Sequence, residues 1–349
     1  MHTATDPGRV WSLLYFVRFS GIGYALALPL LGAASVTPAV AAPLLLQLCL
    51  VAASFHIFAF VLNDVIDLPI DRTEPRRAQF PLVRGTVRPG PALAFSLLQV
   101  PVSFVFAIRL GASPVGLAAL AAAFVMMAIY NVWGKQTPLP LLTDLAQATA
   151  WACLALFGAL AIESGPGFLS FVVIAYVCVY VIMVNGVHGA MRDLRNDLAC
   201  GVRSTAIQLG ARIGPDGRPS FSARLLAWAF TLQTLLGIIA LLPFLLGDPA
   251  PATTGGRVAL SIVLAASTAS YVLLGIGRKP LGDERDSSAL GLMHMVLTMA
   301  ALIAVVAPHV EPALLAGITI AFTAPLLTHS ASYRCARWTW RVLRWAWSG

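Results

Sequence analysis

Asn63, Asp67 and Asp71 stand at i, i+4 and i+8, with Asp64 three residues before Asp67, and Asp193 and Asp197 repeat the i, i+4 step later in the chain. On a helix this spacing lays most of the oxygens of each set along one face. Carboxylates stacked so closely repel one another unless a cation sits between them, and poor solvation at the edge of an apolar segment raises the penalty. Magnesium suits two sparse clusters of this kind, because it takes a few carboxylates, several waters and substrate phosphate oxygens rather than a preformed cage. The sequence has neither an EF-hand loop nor a histidine ligand spacing. Arginines are interleaved with the acids, at Arg72, Arg76 and Arg77 and again at Arg192, Arg195 and Arg203. Fixed guanidinium donors beside a divalent ion describe a site for a diphosphate leaving group. One cluster alone also reads as a solvated, charge-balanced loop; two of them, each after an even-numbered apolar segment, favour a site.

The segments that carry these residues are apolar. Of 349 residues, 58% are hydrophobic and 11% charged, whereas soluble domains carry about a quarter charged residues. Runs near the ~20 residues that cross a hydrocarbon core recur along the whole chain, with no polar block large enough for a soluble domain. The sequence predicts spanning helices over 11–33, 41–62, 91–110, 114–133, 141–162, 168–188, 222–246, 256–276, 288–307 and 312–328. The expected fold is all-α, a polytopic membrane bundle of nine to ten transmembrane helices. The runs are continuous rather than alternating, which argues against a membrane β-barrel. Arg18 and Tyr24 interrupt the first run and no small-residue cleavage site follows, so that span is expected to stay in the mature protein.

Ten spans place both termini on one side, and of 23 Lys and Arg residues only Arg109 and Arg257 then fall opposite. Cationic residues are retained in the cytoplasm during insertion, which turns the termini and both acid clusters inward. With nine spans Arg334, Arg337, Arg341 and Arg344 would break the rule. The net charge of +8 follows from this asymmetry; it favours anionic lipid headgroups, and no groove-reading motif supports nucleic acid binding. Cys49, Cys153 and Cys178 fall within spans and Cys200 and Cys335 on the cytoplasmic side, without CxxC spacing, so neither disulfides nor zinc is expected. Residues 1–330 read as one catalytic membrane domain, and 331–349 as a basic, Trp-rich interfacial tail.

Residues 63–85 combine Asn63-Asp64-x-x-Asp67-x-x-x-Asp71, an Arg-rich segment and Pro81-Leu82-x-x-Gly85; Asp193-x-x-x-Asp197 is followed by Gly201, Arg203, Ser204, Thr205 and the pair Leu209-Gly210. A third element is Tyr130-Asn-Val-Trp-Gly-Lys135, followed by Pro138-Leu-Pro. Together these resemble the signatures of the UbiA superfamily of intramembrane prenyltransferases, over spans one to nine. The resemblance implies a helical bundle around a lipid-open cavity. It places Asn63, Asp67, Asp193 and Asp197 on two magnesium ions that bridge an isoprenyl diphosphate, with Asp64 and Asp71 completing the first signature and Asp71 counted with the ligands. Asp64, Asp67, Asp71, Asp193 and Asp197 are thus the expected catalytic acids, and Arg76, Arg77, Lys135, Arg192 and Arg203 the expected diphosphate contacts.

The prenyl tail is expected among apolar and aromatic side chains, whose π faces stabilise an allylic cation. Phe55, Phe58, Phe60, Tyr130, Trp151, Tyr180 and His188 are the candidates, although ordinary helix packing explains any one of them. His294 reads as bundle core, His188 as a residue packed one turn before Arg192, and Asp144 equally as a site residue or a helix cap. Two departures concern the acceptor. Many aromatic prenyltransferases of this family carry Tyr four residues before the second motif, where this chain has Gly189, and Pro shortly after the first-span Arg, where it has Phe19-Ser-Gly-Ile-Gly. The expected reaction is magnesium-assisted loss of diphosphate and transfer of the prenyl cation to a lipophilic acceptor, the alternative being a terpene cyclase in which the substrate's own double bonds capture the cation. A transporter fits less well, because its ion-binding groups lie near the midplane and these acids lie at span ends beside arginines.

Overall fold

Proline presets the helical φ and lacks the N–H that a first turn leaves unpaired, and it stands at the first or second position of α3 (Ala42–Ile66), α5 (Pro89–Arg109), α6 (Pro114–Trp133), α7 (Pro140–Leu160) and α14 (Pro312–Leu326), among others. Before them stand α1 (Arg9–Phe16) and α2 (Ile22–Ala34), and between α3 and α5 the short α4 (Leu68–Asp71). Then come α8 (Phe168–Met183), α9 (Ala190–Ala199), the short α10 (Thr205–Gln208), α11 (Ala223–Leu246), α12 (Thr254–Gly277) and α13 (Glu284–Val306). The structure, a computed structural model, describes residues 9–162, 165–246, 253–277 and 284–328. The tail at 331–349, with Cys335, Arg334, Arg337, Arg341 and Arg344, lies outside the described residues.

Among the described residues eight helices are long and apolar enough to cross a membrane, with mean hydropathy from 1.3 to 2.4. The chain is therefore an all-α, multi-pass membrane protein. The first and tenth expected spans are shorter apolar helices, Phe19–Ala34 and Pro312–Leu326. The continuous first span expected over 11–33 is broken at Arg18, which takes the left-handed conformation (φ 46°) ahead of a 3-10 turn, Phe19–Gly21. His56 of α3 meets the break: its Nε2 donates to the carbonyls of Val17 and Arg18, at 3.1 and 3.2 Å. The all-helical expectation also omits a two-stranded ribbon, β1 (Arg212–Ile213) antiparallel to β2 (Pro219–Ser220), with Arg212 opposite Ser220.

Close packing fixes the neighbours of the site. α2 lies against α7, where a Cβ on Gly32 would stand 1.9 Å from the Ala155 carbonyl and one on Gly158 2.0 Å from that of Pro29. Only glycine lets two backbones approach this closely, the means by which membrane helices gain contact without a hydrophobic driving force between them. α3 packs on α5, α7 on α8, α8 on α11, and α14 on α2. One large apolar cluster runs through α2, α3, α6, α7, α8, α11 and α13, and a small one of Val61, Leu68, Leu82 and Ala92 lies under the loop after α4.

Candidate active site

The first acid set straddles the end of α3. Asn63 and Asp64 belong to its last turn, Asp67 caps it, and Asp71 closes α4. Pro69 does not disturb the path, because the amides of Asp67 and Asp71 still donate to the carbonyls four residues back, each at 2.8 Å. The i, i+4, i+8 stack is thereby kept, with Asp64, Asp67 and Asp71 all buried. The second set lies on the helix itself rather than on a connection, since α8 runs through a π segment, Val184–Gly189, into α9 as one apolar span, Phe168–Ala199. The span expected over 168–188 thus extends by some three turns and carries Asp193 and Asp197. A π segment frequently marks a functional site, and this one has Gly at two of its six positions.

The two sets meet at one end of the bundle. Lys135, just after α6, places Nζ 3.4 Å from Asp67 Oδ2 and 3.8 Å from Asp197 Oδ1. Asn63 donates to Asp67 at 3.0 Å. Arg76 holds Glu74 at 2.7 Å and reaches Asp193 at 3.4 Å, while Arg192 grips Asp193 through two nitrogens at 3.0 and 2.9 Å. Arg77 pairs with Asp71 at 3.0 Å and Asp64 at 3.3 Å. Asn196 of α9 docks on the first loop, donating to the Ile70 carbonyl at 3.2 Å and accepting from Thr73 at 2.9 Å. Of the expected contacts Arg203 stands apart, exposed in the turn between α9 and α10 with no ion pair among the described residues.

Burial sets the electrostatics of the loop. It raises the carboxyl of Asp67, against the opposing pull of Lys135 and Arg77, and pushes that of Asp71 up to about 6 against the pull of Arg77. It also lowers the Arg77 guanidinium, whereas hydrogen bonds from Arg76 hold Glu74 below its ordinary value. Two buried carboxylate oxygens, Asp71 Oδ1 and Asp197 Oδ1, have no hydrogen-bond partner among the described residues. No group of three or more His, Cys, Asp or Glu side chains among the described residues converges as a metal cage. Unsatisfied hard oxygens without a cage fit an ion that completes its shell with water and phosphate.

Below the acids an aromatic wall surrounds Trp151, whose ring lies 5.1 Å from Phe55, 5.2 Å from Tyr24 and 6.3 Å from Phe60. Tyr180 joins it through Tyr24, at 5.2 Å. Phe58 turns instead to Phe124, at 5.0 Å, and Tyr130 donates at 3.0 Å to Asn185, which in turn donates to Asp144. Asp144 is buried and also accepts from Thr205, so it ties α7 to the π segment and α10. His188 faces His294 rather than Arg192, at 3.0 Å.

Sequence reasoning missed Arg18 and Tyr24 as parts of this assembly. Arg18 makes a two-point ion pair with Asp64 and lies over the Phe60 ring at 5.2 Å. Its signal was available, because a charge interrupting an apolar run needs a partner. Tyr24, whose hydroxyl is buried without a hydrogen-bond partner among the described residues, gave no such signal.

Residues 23–272 match the UbiA prenyltransferase family. The chain belongs to this family. A 4-hydroxybenzoate octaprenyltransferase of Pseudoalteromonas translucida (strain TAC 125) is 34% identical over 158 residues, 43% of this chain and 49% of that protein. The match thus spans about half the length of that relative. A UbiA homologue from Archaeoglobus fulgidus, solved with GPP and Mg2+, superposes with a TM-score of 0.60 at 16% identity over 84% of this chain and 99% of that one. The UbiA homologue from Aeropyrum pernix K1 gives 0.56 at 18% identity over 85% and 98%. At these identities the likeness is one of fold, and both chains are covered almost end to end within the UbiA-like bundle.

Proposed function

We propose that this chain is a Mg2+-dependent intramembrane enzyme that consumes an isoprenyl diphosphate and transfers the prenyl group to a lipophilic acceptor. The observation that carries the reading is Lys135, whose Nζ lies between Asp67 and Asp197 and so joins the two acid motifs into one site. The GPP and Mg2+ held by the Archaeoglobus homologue and the activity of the octaprenyltransferase relative support it. Asn63, Asp67, Asp71, Asp193 and Asp197 would hold the metal, which when bound neutralises charge on the departing diphosphate. Arg76, Arg77, Lys135, Arg192 and Arg203 are the residues assigned to the phosphate oxygens, and Arg18 holds Asp64 in place. The C1–O bond breaks with its electron pair leaving on the diphosphate. The wall of Phe55, Phe60, Trp151 and Tyr180 excludes water from the allylic cation and presents π faces to it; Phe58 of α3 supports it through Phe124 of α6, which also meets Phe55, and Tyr130 of α6 is assigned to the same chamber. The acids face the cytoplasm in this reading, by the distribution of Lys and Arg.

A second reading, a terpene cyclase of the same fold, is favoured by one feature: Gly189 offers no side chain where an acceptor-binding Tyr is common in the family. Incubation of the purified protein in detergent with Mg2+ and geranyl, farnesyl or geranylgeranyl diphosphate, with and without a lipophilic phenol, separates them. Transfer predicts prenylated phenol and little release without it. Cyclic hydrocarbon formed without any acceptor would replace transfer by cyclisation.

A further inference from the structure

A line of three polar side chains crosses the bundle beside the second acid motif. His188 Nε2 lies 3.0 Å from His294 Nδ1, and His294 Nε2 lies 3.0 Å from Gln233 Oε1. The three come from the π segment, α13 and α11. An amide oxygen only accepts, so His294 carries its proton on Nε2, and its Nδ1 is left as an acceptor. His188 must then donate from Nε2, which leaves the lone pair on its own Nδ1. Gln233 thus sets the tautomer of both rings across two hydrogen bonds.

The inner end of this line is closed and the outer end is accessible. Gln233 is 2% and His294 1% exposed, whereas His188 is only half-buried. Gly291 of α13 faces the ring with no side chain of its own; a Cβ there would stand 3.4 Å from His188 Nδ1 and press on it. Along its helix His188 falls between Tyr180, which touches the aromatic wall, and Arg192 and Asp193, one turn further on. The residue that carries the unprotonated nitrogen therefore stands, along the chain, between the expected cation chamber and the expected leaving group.

We infer that His188 Nδ1 is the proton acceptor that completes the reaction, an inference that rests on the prenyl-diphosphate reading of the site. After diphosphate departs, an electron pair of the acceptor forms the bond to the allylic carbon. The acceptor's O–H or ring C–H bond then breaks, its pair stays on the acceptor, and the proton passes to Nδ1. Without an acceptor, the C–H bond next to the cationic carbon breaks instead and its pair becomes a double bond. In either case the imidazolium returns the proton to water or to the released diphosphate.

Two measurements test this. In ¹⁵N-histidine-labelled protein, the His188 Nδ1 resonance is expected at the unprotonated position; Gln233→Leu removes that preference and Gln233→Glu, which still accepts, restores it. A protonated Nδ1 in the wild type would overturn the inference, and this readout needs no turnover. The second measurement is product partition with Mg2+ and a prenyl diphosphate. In His188→Gln the ratio of proton-loss products to prenyl alcohol is expected to fall about a hundredfold, the scale of general base catalysis. An unchanged ratio would sink the base role while leaving the diphosphate site intact. Absence of diphosphate release from the wild type under all conditions would overturn the prenyl-diphosphate reading, and the base role with it.

Discussion

Arg18 is the residue whose loss is felt at both the fold and the site. It sits at a left-handed break, pairs with the buried Asp64 and covers Phe60. Removing one partner of a buried pair leaves an uncompensated charge, which costs about 3–5 kcal/mol. Arg77 still reaches Asp64 at 3.3 Å, so Arg18→Ala is expected at the lower end of that range, read as a lowered melting temperature in detergent. Lysine cannot reproduce a two-point contact, and Arg18→Lys is expected to recover only part of the loss. Asp71 gives a pH signature. Burial raises its carboxyl from 3.8 to about 6, so the folded, metal-free protein holds that proton more tightly than the unfolded chain. Its contribution to folding stability is full below pH 4 and is lost as pH rises through 6. Metal binding needs the ionised form and runs the opposite way: Mg2+ affinity is expected to fall as pH drops through 6, and calorimetry on Asp71→Asn should show weaker binding with a smaller step.

At the scale of elements, two backbone features hold the site. The α2–α7 crossing depends on Gly32 and Gly158, and Gly158→Leu would drive a side chain into the Pro29 carbonyl, 2.0 Å from the Cβ position. Overpacking costs about 1–3 kcal/mol where neighbours can shift; a backbone carbonyl shifts poorly, so loss of the folded species on size-exclusion chromatography is expected, with Gly158→Ala intermediate. The π segment is the second feature, since it sets the rotation at which Asp193 meets Arg76 and Asp197 meets Lys135. Helix existence was legible because long apolar runs have no competing interpretation, and the acid spacing was legible because a helical i, i+4 step survives even the α3–α4 junction at Asp67. The break at Arg18 was not, because a single left-handed residue leaves hydropathy unchanged. Nor was the π segment: an inserted residue alters rotation without altering composition. The contacts of Phe58, Tyr130 and His188 with Phe124, Asn185 and His294 depend on rotation too and were not legible in the sequence.

At the scale of the whole molecule, the acid motifs share one end of a multi-pass UbiA bundle, and the proposal that this end faces the cytoplasm rests on the Lys and Arg distribution. Single cysteines introduced at 72–88 and 209–218 of an otherwise cysteine-free protein are expected to resist an impermeant thiol reagent in spheroplasts and to react in inside-out vesicles; labelling from outside would invert the orientation. The central claim is that the two acid sets form one catalytic site around a diphosphate. The most direct measurement is Mg2+-dependent diphosphate release from a prenyl diphosphate by purified wild type, Asp67→Ala and Asp193→Ala, each verified as folded. Asp67 and Asp193 come from helices far apart in sequence, so a shared site predicts that either substitution lowers release by at least about a hundredfold, as expected when transition-state charge stabilisation is lost, and that chelation of Mg2+ does the same to the wild type. Wild-type turnover by either variant at saturating Mg2+ would contradict it.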